Sequence, residues 1–164
     1  MIRIPLHPEP FLREQIPEKL AARGILINRY AGDFFAHPAF VTEKAGDLSV
    51  VILSVGEIGL AEGGTLGEIA GILGKNRLKP CPPNTGLFLR LAWTDQPESA
   101  DPVLTGTHSA PDGAVTVFSE QLEPDDAFPK GLYLRKAAGK LWLRGYVCDS
   151  GYRFPAKAQL AFRA

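Results

Sequence analysis

The stretch LYLRKAAGKLWLRGYV, residues 132–147, alternates apolar and polar side chains on either side of a short run of small residues. Successive side chains of a strand point to opposite faces, so two alternating runs around a glycine-containing break read as an antiparallel hairpin. Leu132, Leu134, Leu141 and Leu143 mark one face, while Tyr133, Arg135, Lys140, Trp142, Arg144 and Tyr146 share the other. The expected register pairs Leu134 with Leu141 and Leu132 with Leu143. It leaves Lys136, Ala137, Ala138 and Gly139 as the loop and sets Tyr133 opposite Trp142.

Working outward, Val115 and Val117 alternate in the same way, and Gln159 to Phe162 reads as a last strand. Leu87, Leu89, Leu91 and Trp93 alternate with Phe88, Arg90 and Ala92, which predicts a further strand with one buried face. Upstream, Pro80, Cys81, Pro82, Pro83 and Asn84 form a stiff connector, because clustered prolines fit neither a regular helix nor a central strand. Before it, Thr65 as N-cap and Glu68 three residues later make a capping box for a helix closed by Gly74. Its interior glycines, Gly67 and Gly71, weaken it and would admit another backbone at close range. Leu48 to Val55 reads as a strand buried on both faces, although a run this short also fits a buried helical turn. Ile16 to Arg23 reads as a helix with Pro17 in its first turn and Gly24 as its stop. Asn28 to Pro38, with Tyr30, Phe34 and Phe35 among Gly32, Asp33 and Pro38, reads as a strand end or loop with aromatic anchors.

These elements describe a single α+β domain spanning 1–164. Residues 1–79 form a mixed helix and strand half, 80–85 a proline-rich connector, and 86–164 a strand-rich half. The expected architecture is an antiparallel sheet or partly closed barrel of about five or six strands in the C-terminal half, packed with about two helices from the N-terminal half.

Composition sets the outer bounds. The 164 residues hold 18 basic and 18 acidic side chains, 45% hydrophobic and 22% charged residues. That excludes a disordered or collagen-like chain and argues against a dedicated nucleic-acid binder, which is strongly basic overall. Two cysteines make a disulfide-dependent secreted scaffold a poor fit, although Cys81 and Cys148 are able to pair. Met1 to Gln15 carries three prolines and four charges in place of a signal peptide's apolar core, so a cytoplasmic location is expected. The longest apolar run, Val50 to Leu53, is far too short to span a bilayer.

The overall neutrality hides a polarity along the chain. Residues 86–128 hold Arg90 against eight acidic side chains, and residues 129–164 hold eight basic ones against Asp149. Opposite charges on neighbouring strands and loops help fix register, and a solvated acidic loop facing the basic hairpin accounts for the pattern. The sharper reading is a ligand- or partner-binding face made by Tyr133, Arg135, Lys140, Trp142, Arg144 and Tyr146. Trp, Tyr and Arg dominate protein interfaces, and aromatics interleaved with cations also suit single-stranded nucleic acid. Burial of that face under the first half, with the cationic heads reaching solvent, is the competing reading.

Catalytic signals are sparse. His7, His37 and His108 lie in separate proline-containing neighbourhoods, outside any nucleophile motif. Cys81, flanked by prolines and near Lys75, Arg77 and Lys79, is the one candidate nucleophile. Glu120, Glu123, Asp125 and Asp126 form an acidic loop, but the geometry that acid catalysis or cation binding requires is not set by loop spacing. Gly56, Gly59, Gly63, Gly64 and Gly67 match neither the Walker pattern nor the dinucleotide fingerprint, so turn geometry explains them. Two cysteines and three scattered histidines make no zinc pattern, and no metal or cofactor is expected.

The texts KPCP (79–82), LFLRLAWTDQP (87–97) and FPKGLYLRKAAGKLWLRGY (128–146) resemble a family of uncharacterised bacterial proteins. The resemblance covers about the second half of the chain and implies a bacterial, cytoplasmic protein with no assigned activity. It carries over no catalytic residue. The function expected from the residues is non-catalytic binding through the aromatic and basic hairpin face. A protein partner or homodimer is the favoured occupant, with nucleic acid possible and no membrane association. The alternative is a small hydrolase or transferase using Cys81 or the acidic loop with a histidine.

Overall fold

The computed structural model describes residues 1–100 and 113–164. In chain order the elements are β1 (Ile2–Leu6), α1 (Ile16–Ala21), β2 (Leu26–Ile27), α2 (Arg29–Ala36), β3 (Leu48–Ser54), β4 (Gly64–Thr65), α3 (Leu66–Ile72), α4 (Thr85–Ala92), β5 (Val115–Val117), β6 (Gly131–Ala137), β7 (Lys140–Tyr146), β8 (Arg153–Phe154) and β9 (Gln159–Arg163). Seven strands form one sheet in the order β1-β3-β9-β5-β6-β7-β2, and β4 pairs with β8 in a separate two-stranded ribbon. The β5–β9 and β2–β7 pairs are parallel and the others antiparallel. The sheet is open, with β1 and β2 at its edges, so the expected closure toward a barrel is not formed. The chain is an α+β protein with four helices among the described residues, two more than the first half was expected to supply and one of them in the second half. None of these helices is long and apolar enough to cross a membrane.

Alternation along the strands builds two apolar layers. On one face Leu6, Val50, Ile52, Val115, Val117, Leu132, Leu134, Leu143 and Ala161 pack with Leu20 of α1, Phe34 and Phe35 of α2, and Leu87 and Leu89 of α4. On the other face Val51, Leu160 and Phe162 pack with Ile69 of α3, Leu73 just beyond it, and Phe154 of β8. Strand β3 contributes to both layers, as its uninterrupted apolar run requires.

The capping box at α3 is complete: Thr65 Oγ1 accepts from Glu68 N and Glu68 Oε2 accepts from Thr65 N. Helix α1 begins with Pro17 in its first turn, and Gly24 follows it with φ +63°. Gly71 has open space around its Cα and Gly67 meets nothing nearer than Thr65 Oγ1 at 3.9 Å, so neither glycine admits another backbone.

Two segments differ from expectation. Leu87–Trp93 is mostly helix α4, not a strand, because it is buried from Thr85 through Arg90 and therefore shows no polar face from which a period could be read. Its leucines, alanine and arginine favour helix, and the helix lies so close to β6 that a Cβ on Gly86 would come within 2.9 Å of Leu132 Cβ. Residues 29–36 form α2, not a loop. Ala31, Phe34 and Phe35 are buried at helical spacing, and Asn28 is the N-cap, its Oδ1 accepting from Ala31 N at 2.9 Å.

The hairpin forms with its register moved by two residues. Leu134 lies opposite Leu143, Leu132 opposite Gly145, Tyr133 opposite Arg144, and Arg135 opposite Trp142. The turn is only Ala138 and Gly139, with φ +51° and +74°, the positive pair that two-residue hairpin turns adopt to match strand twist. A shift of two leaves every side chain on its expected face.

Asn28 also fixes the sheet edge. Its Nδ2 donates to Gly145 O at 3.0 Å and its Oδ1 accepts from Gly145 N at 2.8 Å, so one amide caps α2 and pairs with β7. A Cβ on Gly145 would come within 2.5 Å of the Tyr30 carbonyl carbon. Asn28→Ala is therefore expected to cost roughly 2–3 kcal/mol in urea unfolding. Asn28→Asp retains the helix-cap acceptor but loses the donor to Gly145, and should fall between wild type and Asn28→Ala. Equal stability of all three would exclude this role.

Candidate functional site

The second face of β6 and β7 divides in two. Arg135 is fully buried and its Nη2 donates to Ser99 Oγ at 3.1 Å, so it is not available to a partner. Tyr146 packs into the layer beneath α3, edge-on to Phe154 with ring centroids 6.4 Å apart, and burial pushes its phenol up from the ordinary range. Arg135 therefore belongs to the interior, head group included, and the half-buried Tyr146 is turned against the second apolar layer.

The other four reach solvent. Tyr133, Trp142 and Arg144 are half-buried and Lys140 is exposed. Because Tyr133 and Arg144 are cross-strand partners, the Arg144 Nε–H donates to the Tyr133 hydroxyl at 2.8 Å. Two residues along the same strand, the Trp142 ring lies beneath the guanidinium, with Cζ 5.2 Å from the ring centroid. The arginine is thus held by a hydrogen bond and a cation–π contact before any ligand arrives. Leu26 of β2, opposite Trp142, extends the ladder at the sheet edge. It was not among the sequence candidates, since a two-residue parallel strand has no periodic signature.

The face rests on a buried cation that the sequence reading also passed over. Arg90 of α4 is fully buried, and its guanidinium donates to Gln96 Oε1 at 2.6 Å, to Trp142 O at 3.4 Å, to Arg135 O at 3.5 Å and to Trp93 O. Gln96 in turn donates to Leu134 O at 3.1 Å and Gly113 O at 3.2 Å. Arg90 has no carboxylate partner among the described residues, and burial pulls it down to about 10. Its carbonyl partners include two residues of the β6–β7 pair that presents the face. The signal was a lone arginine inside LFLRLA, a charge with nowhere to reach solvent from a helix buried on most sides.

The residues considered for chemistry are dispersed. Cys81 and Cys148 are free thiols, not a disulfide. Cys81 is buried, its Sγ 3.8 Å from Ala161 O, and desolvation pushes it up to about 12, opposite to what a nucleophile needs. His37 Nδ1 accepts from Ala39 N at 3.0 Å, so its Nε2 carries the hydrogen given to Glu123 Oε1 at 2.8 Å. Both ring nitrogens are occupied. His7 pairs with Asp47 at 3.0 Å on the surface. His108, Asp101 and Asp112 lie outside the described residues. The acidic loop does not face the basic hairpin face: Asp126 pairs with Lys130 at 3.3 Å, Asp125 Oδ1 caps Ala127 N, and Glu123 holds His37. No cluster of three metal-ligating side chains occurs among the described residues.

Turn geometry accounts for the glycine-rich entry to α3, where Gly63 has φ +80° against the Phe154 carbonyl. A cavity of about 280 Å³ opens between β1, α1 and α4, floored by Leu6, Phe11, Phe88 and Leu91 with Lys19 and Arg23 beside it. It falls just under the usual range for ligand pockets, roughly 300–1,000 Å³.

No protein-family model, curated protein or solved structure matches the chain.

Two outcomes follow for the interior groups. Cys81 should resist thiol reagents in the folded protein and react on unfolding. Because its folded value is raised, its contribution to stability is complete below about pH 9 and is lost as pH rises toward about 12. Cys81→Ala should therefore flatten the alkaline fall in stability, and an unchanged slope would contradict the assignment. Arg90→Met, which leaves several buried carbonyls without their donor, should cost about 3 kcal/mol or more by chemical denaturation.

Proposed function

We propose that the protein is a non-catalytic binding module whose contact surface is the solvent-facing part of the β6–β7 hairpin: Tyr133, Lys140, Trp142 and Arg144. The observation that carries this reading is the half-exposed Trp142 with Arg144 already stacked on it and tied to Tyr133. Aromatic and arginine side chains anchor interfaces, and a pre-ordered arginine loses little further freedom on binding. Of the other sequence candidates, Arg135 supports the face from the interior and Tyr146 packs against the second apolar layer.

A protein is the favoured occupant, either another chain or a second copy of this one. The alternative, a hydrolase or transferase built on Cys81 or the acidic loop, has less support, since the thiol is buried with its ionisation suppressed and the His37 ring is fully engaged. The two free cysteines suit a reducing compartment, and we place the module in the cytoplasm.

Trp142→Ala combined with Arg144→Ala tests the proposal. Side chains presented for binding should be removable with a fall in thermal midpoint of no more than about 4 °C. A loss on the order of 10 °C or more would assign the ladder to the core. Proteins retained by the wild-type chain in affinity capture should be lost with the double variant. If the partner is a second copy, sedimentation across a concentration series should show an association that the variant lacks. Identical capture and sedimentation by both chains would end the proposal.

A further inference from the structure

Resting on the reading of the β6–β7 face as a docking surface, we propose that the segment it takes is an acidic peptide, one carboxylate of which is held by the Arg144 guanidinium above Trp142. Arg144 spends its Nε–H on Tyr133 at 2.8 Å, and its two terminal amino groups have no partner among the described residues. The Tyr133 hydroxyl uses an acceptor site in that bond, leaving its own hydrogen to give. The Trp142 indole N–H and the Lys140 ammonium are likewise unspent among the described residues, and neither group has an acceptor to offer. Among the described residues, the groups that Tyr133, Lys140, Trp142 and Arg144 leave unspent are donors, and the one carboxylate at the turn, Glu98, is engaged by Gly139 N at 2.7 Å. An ionised carboxylate, which only accepts, is their complement, and the paired terminal amino groups of an arginine match its two oxygens.

The arrangement favours a protein carboxylate over a nucleic-acid backbone. Binding along a phosphate backbone draws on a run of cations, each neutralising one phosphate. Of the hairpin's basic residues Arg135 is buried and Lys136 belongs to the opposite face, so Lys140 and Arg144 alone remain on this one. One fixed fork, one flexible ammonium and an apolar ledge of Trp142 and Leu26 suit an acidic side chain flanked by an apolar one.

The test uses the full chain labelled with 15N, following the Arg144 Nε–H and Trp142 Nε1–H resonances. The probes are a capped peptide of alternating leucine and glutamate, its glutamine isostere, and oligothymidylate. The glutamate peptide should shift both resonances saturably, and the glutamine peptide should bind at least about tenfold more weakly. Arg144→Lys keeps the charge but loses the fork, and should weaken the glutamate peptide by about tenfold while the thermal midpoint holds. Equal binding of the two peptides, undiminished binding by Arg144→Lys, or a stronger response of both resonances to oligothymidylate would overturn the assignment. Capture lost with Trp142→Ala but intact with Arg144→Lys leaves the docking surface standing and removes the carboxylate. Capture unchanged by either substitution removes both.

Discussion

A single side-chain amide determines how one end of this molecule is assembled. Strand β2 has two residues, too few to hold a sheet edge, and α2 starts immediately after Asn28. The Asn28 amide donates to and accepts from the Gly145 backbone, as a strand residue would, while the same oxygen accepts the N–H of Ala31 in the first turn of α2. Chain direction can thus change from strand to helix within one residue without stranding backbone polar groups. Only glycine fits at position 145, because Tyr30 of α2 occupies the space a side chain would need.

The second constraint is Arg90. A buried cation is costly, and this one is accommodated by carbonyl oxygens and an amide in place of an anion. Those acceptors come from the end of α4, from the segment after it and from both strands of the hairpin. The group that costs most to bury therefore sets the distance between helix and hairpin, and the Trp142 ladder is presented from a backbone that Arg90 ties to α4. At the far edge, β3 bonds to β9 through its odd-numbered residues, as Ser49 and Val55 show, so Arg3 and Pro5 of β1 turn their backbone outward. Pro5 has no N–H to offer there, which blunts that edge against further strand pairing.

Much of the fold was legible where a local rule has one outcome. Thr65 and Glu68 satisfy each other at a helix start whatever packs above them, whereas the apolar run at β3 fitted a strand or a buried helical turn until its pairing with β1 and β9 decided it. Pro17 and Gly24 bracket α1 for reasons internal to the backbone. The missed elements fail for definite reasons. Burial on nearly all sides erases the period of α4, so strand and helix templates fit Leu87–Trp93 equally. For α2 the signal was present, an asparagine cap and apolar residues at 31, 34 and 35, but Gly32 and Pro38 suggested a loop. Strand β1 was assigned no element from the sequence, and its Pro5 sits where an edge strand tolerates it.

The division is sharpest at the hairpin. Alternation alone determined that Tyr133, Arg135, Lys140, Trp142, Arg144 and Tyr146 share a face, because side-chain direction in a strand is a property of the backbone and survives a two-residue shift of register. Tertiary structure decided what that face is. Ser99, distant in sequence, lies against the buried Arg135, Tyr146 packs edge-on to Phe154, Arg90 holds the strands from α4, and the pairing of Tyr133 with Arg144 follows from the tight Ala138–Gly139 turn. Direction is encoded locally, whereas burial depends on which distant elements arrive to exclude water. The same six letters therefore hold both core and surface.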